Sequence, residues 1–273
     1  MTIAAAYLVS EGVVLGADSS SSVMIQTPQG PGVGQVLRHA QKLFEVGKIG
    51  KASRMGLCTW GAGGFREVSH RTLFARLSDW MKEDTSIEQA SRHLAKLVQE
   101  VKGEGVGYYL GGWDPGFHQP ACYKIELSKD KELVEPLKMG MCSFSGQPQF
   151  FMRVFHGYDP VLIERLREGI KDRLPDGEIK NNFGGYFNEA FGDLKGMFVN
   201  KGYQDLPIRE AIDFVYSYLH ITVKALKFMF GAPTCGGPIE VAFISTDRSF
   251  RWVRHKSFGS AMLEEEGEYD VKR

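Results

Sequence analysis

Short apolar runs broken by glycine and polar residues fill the first part of the chain and predict strands. Residues 3–9 and 13–17 are rich in Val, Leu and Ala, and the Ser-Glu-Gly between them is typical of a tight hairpin turn. Proline and glycine in residues 26–34 predict a loop. The strand pattern resumes at residues 41–46 and 54–60 and ends at the glycine-rich segment 61–64.

Beyond this segment the hydrophobic period changes from two to about 3.6 residues, which predicts helices. Val68, Leu73, Leu77 and Trp80 fall on one helical face, and Ser86 precedes a second apolar series as a helix-capping residue would. For the rest of the chain we expect strands at residues 107–110, 120–127 and 133–144, helices at 150–173, 181–199 and 208–230, and a closing hairpin of strands 239–245 and 250–255.

The order of these elements predicts an α+β fold. Strands, two helices, strands, further helices and a terminal hairpin would bury their apolar faces if two antiparallel sheets stacked face to face with helices outside. Neither an internal repeat nor a linker divides the sequence, so we expect one domain over residues 1–258. Residues 259–273 include the run Glu-Glu-Glu-Gly-Glu and are expected to form a charged, solvated tail.

Composition and charge narrow the class of protein. The 273 residues are 43% hydrophobic, which is enough for a packed core. The 33 basic residues equal the 33 acidic ones and form no basic stripe, so we expect no nucleic-acid partner. The N-terminus lacks the pattern of a signal peptide, and no apolar window approaches a membrane span. The sequence therefore predicts a soluble cytoplasmic protein without a membrane partner.

The cysteines and histidines lack the spacing of metal or disulfide sites. The four cysteines are far apart, without a Cys-x-x-Cys pair, and we expect buried thiols in a reducing compartment. The seven histidines are equally dispersed. Neither His-Glu-x-x-His nor Gly-x-Ser-x-Gly is present, which argues against zinc and serine hydrolases. We therefore predict neither a metal nor a cofactor.

The second residue carries the most informative chemistry. If Met1 is removed, the chain begins with Thr2, whose hydroxyl is a nucleophile and whose α-amine can accept the hydroxyl proton. Threonine at position two, taken alone, indicates only that the methionine is removable. Its functional interpretation depends on the sequence further along the chain.

Four motifs, taken in order, resemble those of one known family. Thr2-Ile is followed by Gly-Val-Val-Leu-Gly-Ala-Asp18-Ser, and later come Gln-Lys42-Leu-Phe-Glu-Val, Ser145-Gly-Gln and Cys235-Gly-Gly-Pro-Ile-Glu-Val. This order resembles that of proteasome β subunits and their bacterial relatives, the HslV and Anbu-type peptidases. The likeness covers residues 2–256 and implies their fold, a four-layer α-β-β-α sandwich known as the N-terminal-nucleophile (Ntn) hydrolase fold.

The resemblance implies a role for five residues. Thr2 would attack the scissile carbonyl while its α-amine, with an unperturbed pKa of about 7.7 to 8.0, takes the proton. Lys42 would favour the neutral amine and stabilise the developing oxyanion, with Asp18 as its counter-charge. The backbone N–H of Gly61 would bind the oxyanion, and Ser145 would hydrogen-bond the terminal amine.

The same residues also have simpler interpretations. Asp18 would then be a turn carboxylate that accepts backbone N–H groups, and Lys42 a charge on a sheet edge. The segment 61–64 would be a plain turn, and Ser145 would cap a helix.

Three departures from the family pattern lie in or near these motifs. Ala232 stands where the family has a supporting aspartate, and Cys235 replaces a serine with a poorer hydrogen-bond partner. The interval from Thr2 to Lys42 is longer than in the family, and we assign the surplus to the expected loop at residues 26–34.

These observations favour a threonine peptidase that hydrolyses peptide bonds in peptide or protein substrates and assembles as a homo-oligomer, with an ATPase unfoldase as a candidate partner. Two alternatives stay open. The chain would otherwise be a catalytically silent scaffold subunit that kept the fold, or an Ntn amidase that acts on a small-molecule amide. Removal of Met1 separates the peptidase from the scaffold, because only the peptidase requires it.

Overall fold

The computed structural model of the protein describes residues 2–28, 30–47, 53–65, 68–129, 131–147, 149–156, 159–198, 204–229 and 235–256. The strands in these residues are β1 (Ile3–Val9), β2 (Gly12–Ala17), β3 (Ser21–Thr27), β4 (Gly30–Leu37), β5 (Leu43–Val46), β6 (Met55–Gly61), β7 (Val106–Asp114), β8 (Gln119–Ser128), β9 (Lys131–Pro136), β10 (Cys142–Gly146), β11 (Glu240–Ser245) and β12 (Arg248–Arg254). The helices are α1 (His70–Trp80), α2 (Ile87–Glu100), α3 (Gln149–His156), α4 (Pro160–Lys171), α5 (Glu178–Phe198) and α6 (Ile208–Lys227).

Two antiparallel sheets form the centre of the described structure. The first sheet has the strand order β10-β1-β2-β11-β12 and contains the first described strand of the chain. The second has the order β5-β6-β7-β8-β9. All residues of β1 and β2 are buried, because both faces of the first sheet are covered. Burial on both faces explains why these strands appear in the sequence as continuous apolar runs.

Three apolar clusters fill the spaces between four layers. The space between the sheets contains residues of both, among them Ala4, Leu15, Ala242, Leu43, Trp60 and Tyr109. Helices α1 and α2 cover the outer face of the second sheet with Leu73, Leu77, Leu94 and Val98. Helix α6 covers the outer face of the first sheet with Ala211, Val215 and Leu219. The predicted α+β class and the four-layer α-β-β-α sandwich are confirmed.

The two helices predicted after the glycine-rich segment form as expected. Ser69 caps α1 by accepting a hydrogen bond from Thr72 N–H, and Val68 lies just before the helix. Ser86 caps α2 in a reciprocal capping box with Gln89. Among the helices in the described ranges, none has both the length and the apolar character that crossing a bilayer requires.

The prediction of a loop at residues 26–34 is wrong. Strands β3 and β4 pair there as an antiparallel ribbon that joins neither large sheet. Gly30 forms the turn with a φ of 112°, and Pro31 is tolerated because the ribbon has open edges. The proline and glycine signal thus marked the turn and edge of a hairpin. The surplus residues between Thr2 and Lys42 belong to this ribbon.

The single strand predicted at residues 133–144 is two strands that belong to different sheets. After β9, Leu137 N–H still binds the carbonyl of Cys122 in the second sheet. Gly140 N–H then binds the carbonyl of Leu8 in the first sheet, and β10 follows beside β1. The chain changes sheets within residues 137–141, which are mostly apolar apart from Lys138. Hydrophobic periodicity alone does not show such a crossing.

The helix predicted at residues 150–173 is divided into α3 and α4. Asp159 caps α4 by accepting hydrogen bonds from the N–H groups of Val161 and Leu162, and Pro160 occupies the first turn. An aspartate followed by proline is a helix-start signal, which the longer apolar pattern concealed. The predicted tail at residues 259–273 and the departure at Ala232 lie outside the described residues.

Candidate active site

Asp18 and Lys42 form a buried ion pair at the start of β1. Lys42 Nζ lies 2.7 Å from Asp18 Oδ1, and the two side chains are 8% and 0% exposed. Asp18 directly follows β2, and Lys42 directly precedes β5, so each sheet contributes one member of the pair. The interpretation of Lys42 as a charge on a sheet edge is therefore wrong, because its side chain is enclosed.

The Asp18 carboxylate also organises the backbone around it. Oδ1 accepts a hydrogen bond from Ile3 N–H at 3.1 Å, the residue after Thr2. Oδ2 accepts from Ser20 N–H at 3.1 Å and from Gly236 N–H at 2.8 Å. The carboxylate thus binds backbone donors, as the simpler interpretation of Asp18 proposed, and binds Lys42 as well. It joins the start of β1 to the base of the ribbon and to the segment before β11.

Burial and ion pairing act on the pKa of Lys42 in opposite directions. Removal from water disfavours the ammonium and is the largest effect, whereas the charge and hydrogen bond of Asp18 favour it. The net result is a pKa below the ordinary lysine value. The backbone of Lys42 is fixed by Thr59 N–H on β6, which lies 2.9 Å from the Lys42 carbonyl oxygen.

Thr2 is buried at the edge of the first sheet and is held there by β10. Ile3 pairs with Gly146, and Ala4 pairs with Ser145. Gly146 has a φ of 90°, and a methyl group at this position would overlap the carbonyl oxygen of Thr2. Only glycine lets the two strands approach so closely at this point.

Ser145 is a strand residue whose side chain belongs to a hydroxyl network. Its Oγ lies 2.6 Å from the Tyr109 hydroxyl, and that hydroxyl also lies 2.7 Å from Ser143 Oγ. The alternative that Ser145 caps a helix is wrong, because Ser145 lies within β10 and pairs with Ala4. Burial raises the pKa of the Tyr109 phenol, so the phenol stays protonated. Tyr109 lies in an apolar strand, where the sequence does not distinguish it from a core residue.

Gly61 ends β6 in a conformation that only glycine adopts easily. Its φ is 85°, and a methyl group there would overlap the carbonyl oxygen of Gly105. Gly61 lies two residues beyond Thr59, which binds the Lys42 backbone. The next residue, Ala62, donates its N–H to Gly105 and contacts His70 Nε2 through its carbonyl oxygen at 2.8 Å. The segment is thus a turn, as the simpler interpretation proposed, and hydrogen bonds to Gly105 and His70 hold it in place.

Comparisons with known proteins agree with this architecture. No family model and no curated protein matches the sequence. Among solved structures, Anbu from Hyphomicrobium sp. strain MC1 aligns over 99% of this chain and 100% of its own, with 13% identity and a TM-score of 0.53. The helical assembly of the Anbu complex from Pseudomonas aeruginosa aligns over 97% and 90%, with 14% identity and a TM-score of 0.54. This chain has the Anbu fold.

A third structure with the same fold is Anbu from Yersinia bercovieri, which is described as an ancestral beta-subunit. It aligns over 97% of this chain and 92% of its own, with 13% identity and a TM-score of 0.50. The Anbu fold is the architecture that the four motifs implied. These alignments cover nearly the whole of this chain.

Cys235, one of the departures from the motifs, lies next to the Asp18–Lys42 pair. The thiol is 2% exposed, it precedes Gly236, and its negative form would raise the pKa of Lys42. In the described structure the four cysteines form no disulfide. Burial raises the pKa of Cys58 to about 12 and that of Cys122 well above its ordinary value. The prediction of buried thiols is confirmed for these three, whereas Cys142 is half-buried.

His70, at the start of α1, is a site neighbour that the sequence did not reveal. Its Nε2 lies 2.8 Å from the Ala62 carbonyl oxygen, and its Nδ1 lies 3.2 Å from the Tyr108 hydroxyl. A neutral ring that donates from Nε2 and accepts at Nδ1 satisfies both contacts. The ring thus connects the helix to the turn after Gly61. No sequence motif marks this histidine, because its partners are distant in the chain.

We expect a His70→Gln variant to lose part of the acid sensitivity of the fold. Burial lowers the pKa of His70, so the unfolded chain binds its proton more readily than the folded chain does. The free energy of unfolding is therefore highest above the ordinary histidine pKa. It decreases as pH falls from that pKa toward the lower pKa of His70 in the folded chain. Urea unfolding at several pH values between 7.5 and 5 should show a shallower loss of stability in the variant. An equal loss in both proteins would contradict the assignment.

Proposed function

We propose that this protein is a threonine peptidase of the Ntn-hydrolase type, with Thr2 as its nucleophile after removal of Met1. The observation that carries the proposal is the buried Asp18–Lys42 pair, whose carboxylate binds the N–H of Ile3. Burial of an ion pair costs desolvation energy that a purely structural sandwich does not need to spend. A cation fixed at the first strand of the chain has an evident use if the chain starts with a catalytic amine.

The proposed reaction needs only the chain's own groups and water. The Thr2 hydroxyl oxygen forms a bond to the scissile carbonyl carbon, and its proton passes to the α-amine. The amine then gives this proton to the leaving amine as the peptide bond breaks, which leaves an acyl ester on Thr2. Water hydrolyses the ester and releases the acid. The Gly61 N–H and the Lys42 ammonium stabilise the oxyanion in both steps.

The remaining site residues would position the amine of Thr2. Asp18 holds Lys42 and the start of β1, so that the Lys42 charge favours the neutral amine. Ser145 would hydrogen-bond the amine, and the Tyr109 hydroxyl would orient Ser145. This assignment adds Tyr109 to the residues that the motifs suggested.

Peptides and proteins are the proposed substrates, and residues 1–258 the proposed catalytic domain. The Anbu complex from Pseudomonas aeruginosa is described as a helical assembly, and we extend self-assembly to this chain as a homo-oligomer. A cytoplasmic location and an ATPase unfoldase as partner belong to the same proposal.

A catalytically silent scaffold subunit is the second candidate, and Cys235 is the observation that favours it. A thiol occupies a buried position beside Lys42 where the related peptidases have a serine. A weaker hydrogen-bond partner there would loosen control of the terminal amine.

The deciding experiment measures the N-terminus and its reactivity together. The intact mass of protein purified from its native cells should correspond to a chain without Met1. A peptide β-lactone, which acylates hydroxyl nucleophiles, should then add once and at Thr2. A Lys42→Met variant that circular dichroism shows to be folded should lack this adduct. Complete retention of Met1 in the native protein would overturn the peptidase proposal and favour the scaffold.

A further inference from the structure

A second buried carboxylate lies close to the Asp18–Lys42 pair and takes no part in the proposed reaction. Glu240 begins β11, pairs with Ala17 and has no exposed surface. Its Oε2 lies 2.8 Å from Lys256 Nζ, and its Oε1 lies 2.6 Å from His255 Nδ1. We call Glu240, His255 and Lys256 the Glu240 cluster. Ala17, the residue that pairs with Glu240 on β2, directly precedes Asp18.

Lys256 connects this cluster to the chain on both sides of the ribbon. Its Nζ donates to the Ala40 carbonyl oxygen at 3.0 Å and to Ser19 Oγ at 3.3 Å, in addition to Glu240. Ala40 N–H in turn binds the Ser19 carbonyl oxygen at 2.9 Å. Ser19 directly follows Asp18, and Ala40 lies two residues before Lys42. The Lys256 ammonium thus contacts residues close in sequence to both Asp18 and Lys42.

A purely structural explanation does not account well for the charge of this cluster. Glu240 lies in the covered part of the first sheet, where an apolar residue would avoid the cost of desolvation. The three hydrogen-bond partners of Lys256 give its ammonium a single position. Buried charges in fixed positions are typical of sites that set the electrostatics of a reaction.

We propose that Lys256, held in place by Glu240, is a positioning residue for the Asp18–Lys42 pair and keeps the terminal amine of Thr2 in its neutral form. This inference rests on the proposed function. Lys256 contacts no reacting atom and acts through Ser19, Ala40 and its own charge.

Electrostatics supports the same conclusion. The charge of Lys256 lowers the pKa of Lys42, and a like charge has the same effect on any amine nearby. The other titratable groups that face this region from the packed elements are Asp18, Lys42, Tyr109, Cys235, Glu240 and His255. Of these, Asp18, Glu240 and the negative form of Cys235 oppose the effect of Lys256, and the two carboxylates are each already paired with a cation. Removal of Lys256 should therefore make the site amines easier to protonate.

The test compares Lys256→Met with Lys256→Arg and with a surface control. Arg92→Met removes an exposed ion pair with Glu88 on α2, a helix that covers the outer face of the second sheet. The rate of acylation by the peptide β-lactone is measured against pH for each protein. We expect the acidic limb of the profile to move to higher pH in Lys256→Met, with a rate at pH 7 reduced roughly tenfold. Lys256→Arg should restore the limb, and Arg92→Met should not move it.

A second measurement does not depend on catalysis. In a Thr2→Ala background, NMR of lysine labelled with ¹³C at Cε should show that Lys42 titrates at higher pH when Lys256→Met is added. A lower melting temperature with an unmoved profile and an unmoved Lys42 titration would reduce Lys256 to a structural residue and overturn the inference. If Lys256→Met shifts the Lys42 titration but the protein never reacts with the lactone, Lys256 still positions Lys42. That result would count against the peptidase proposal alone.

Discussion

A Thr2→Ala variant is expected to fold like the native chain and to lose its reaction with the peptide β-lactone and its peptide hydrolysis. The substitution removes the proposed nucleophile and keeps the α-amine, so the base is left without a proton to accept. The rate of peptide cleavage should fall by roughly 10³-fold or more, as for other removed nucleophiles. Stability should change by about 1 kcal/mol at most, because only a small side chain is truncated.

Two controls make this result specific to the hydroxyl. A Thr2→Ser variant keeps the nucleophile and should still form the adduct, although without the methyl group that restricts the threonine side chain. Intact masses should show that all three proteins have the same processed N-terminus. If Thr2→Ala cleaves peptides as fast as the native protein, the nucleophile is another residue and the role of the ion pair must be different.

Local patterns predicted much of the fold because the signals are short in range. The strands β1 and β2, the capping of α2 by Ser86 and the closing hairpin depend on adjacent residues and form as expected. The predictions failed where tertiary partners decide the outcome. The mostly apolar stretch at residues 133–144 predicted one strand, yet it leaves one sheet and enters the other at Leu137 to Met141.

The ribbon β3–β4 is a different kind of failure. Proline and glycine in residues 26–34 usually indicate irregular structure, but an isolated hairpin with open edges tolerates both. Most residues of β3 are exposed, so this strand lacks the apolar alternation that a buried face imposes on a sequence. Apart from the turn residues, no pattern in this segment indicates strand pairing.

The sequence motifs predicted some residues of the candidate site and missed others. The resemblance of the motifs to one family implied that Thr2, Asp18 and Lys42 form one site, and the structure brings Asp18 to both Lys42 and the residue after Thr2. Tyr109 and His70 were missed. Tyr109 lies in an apolar strand and contacts Ser145, 36 positions away, and His70 contacts the Ala62 carbonyl oxygen across the turn after Gly61.

An Asp18→Ala variant is expected to lose about 3–5 kcal/mol of stability, the range for breaking a buried ion pair by removing one partner. Lys42 would remain enclosed without a counter-charge, and the N–H groups of Ile3 and Gly236 would lose their acceptor. Urea unfolding of the Thr2→Ala background gives the stability without interference from self-cleavage. The same loss should abolish the lactone adduct in the native background, because the start of β1 is no longer fixed.

A double-mutant cycle tests whether the loss arises from the pair itself. Adding Lys42→Met to Asp18→Ala removes the unpaired charge, so the double variant should be more stable than Asp18→Ala alone. The matched cycle at Lys124 and Glu126, a pair of partly exposed side chains, should show coupling below about 1 kcal/mol. If the two cycles give equal coupling, the enclosed pair has no special energetic role. Burial of the Asp18–Lys42 pair would then be no reason to assign it a role at the amine of Thr2.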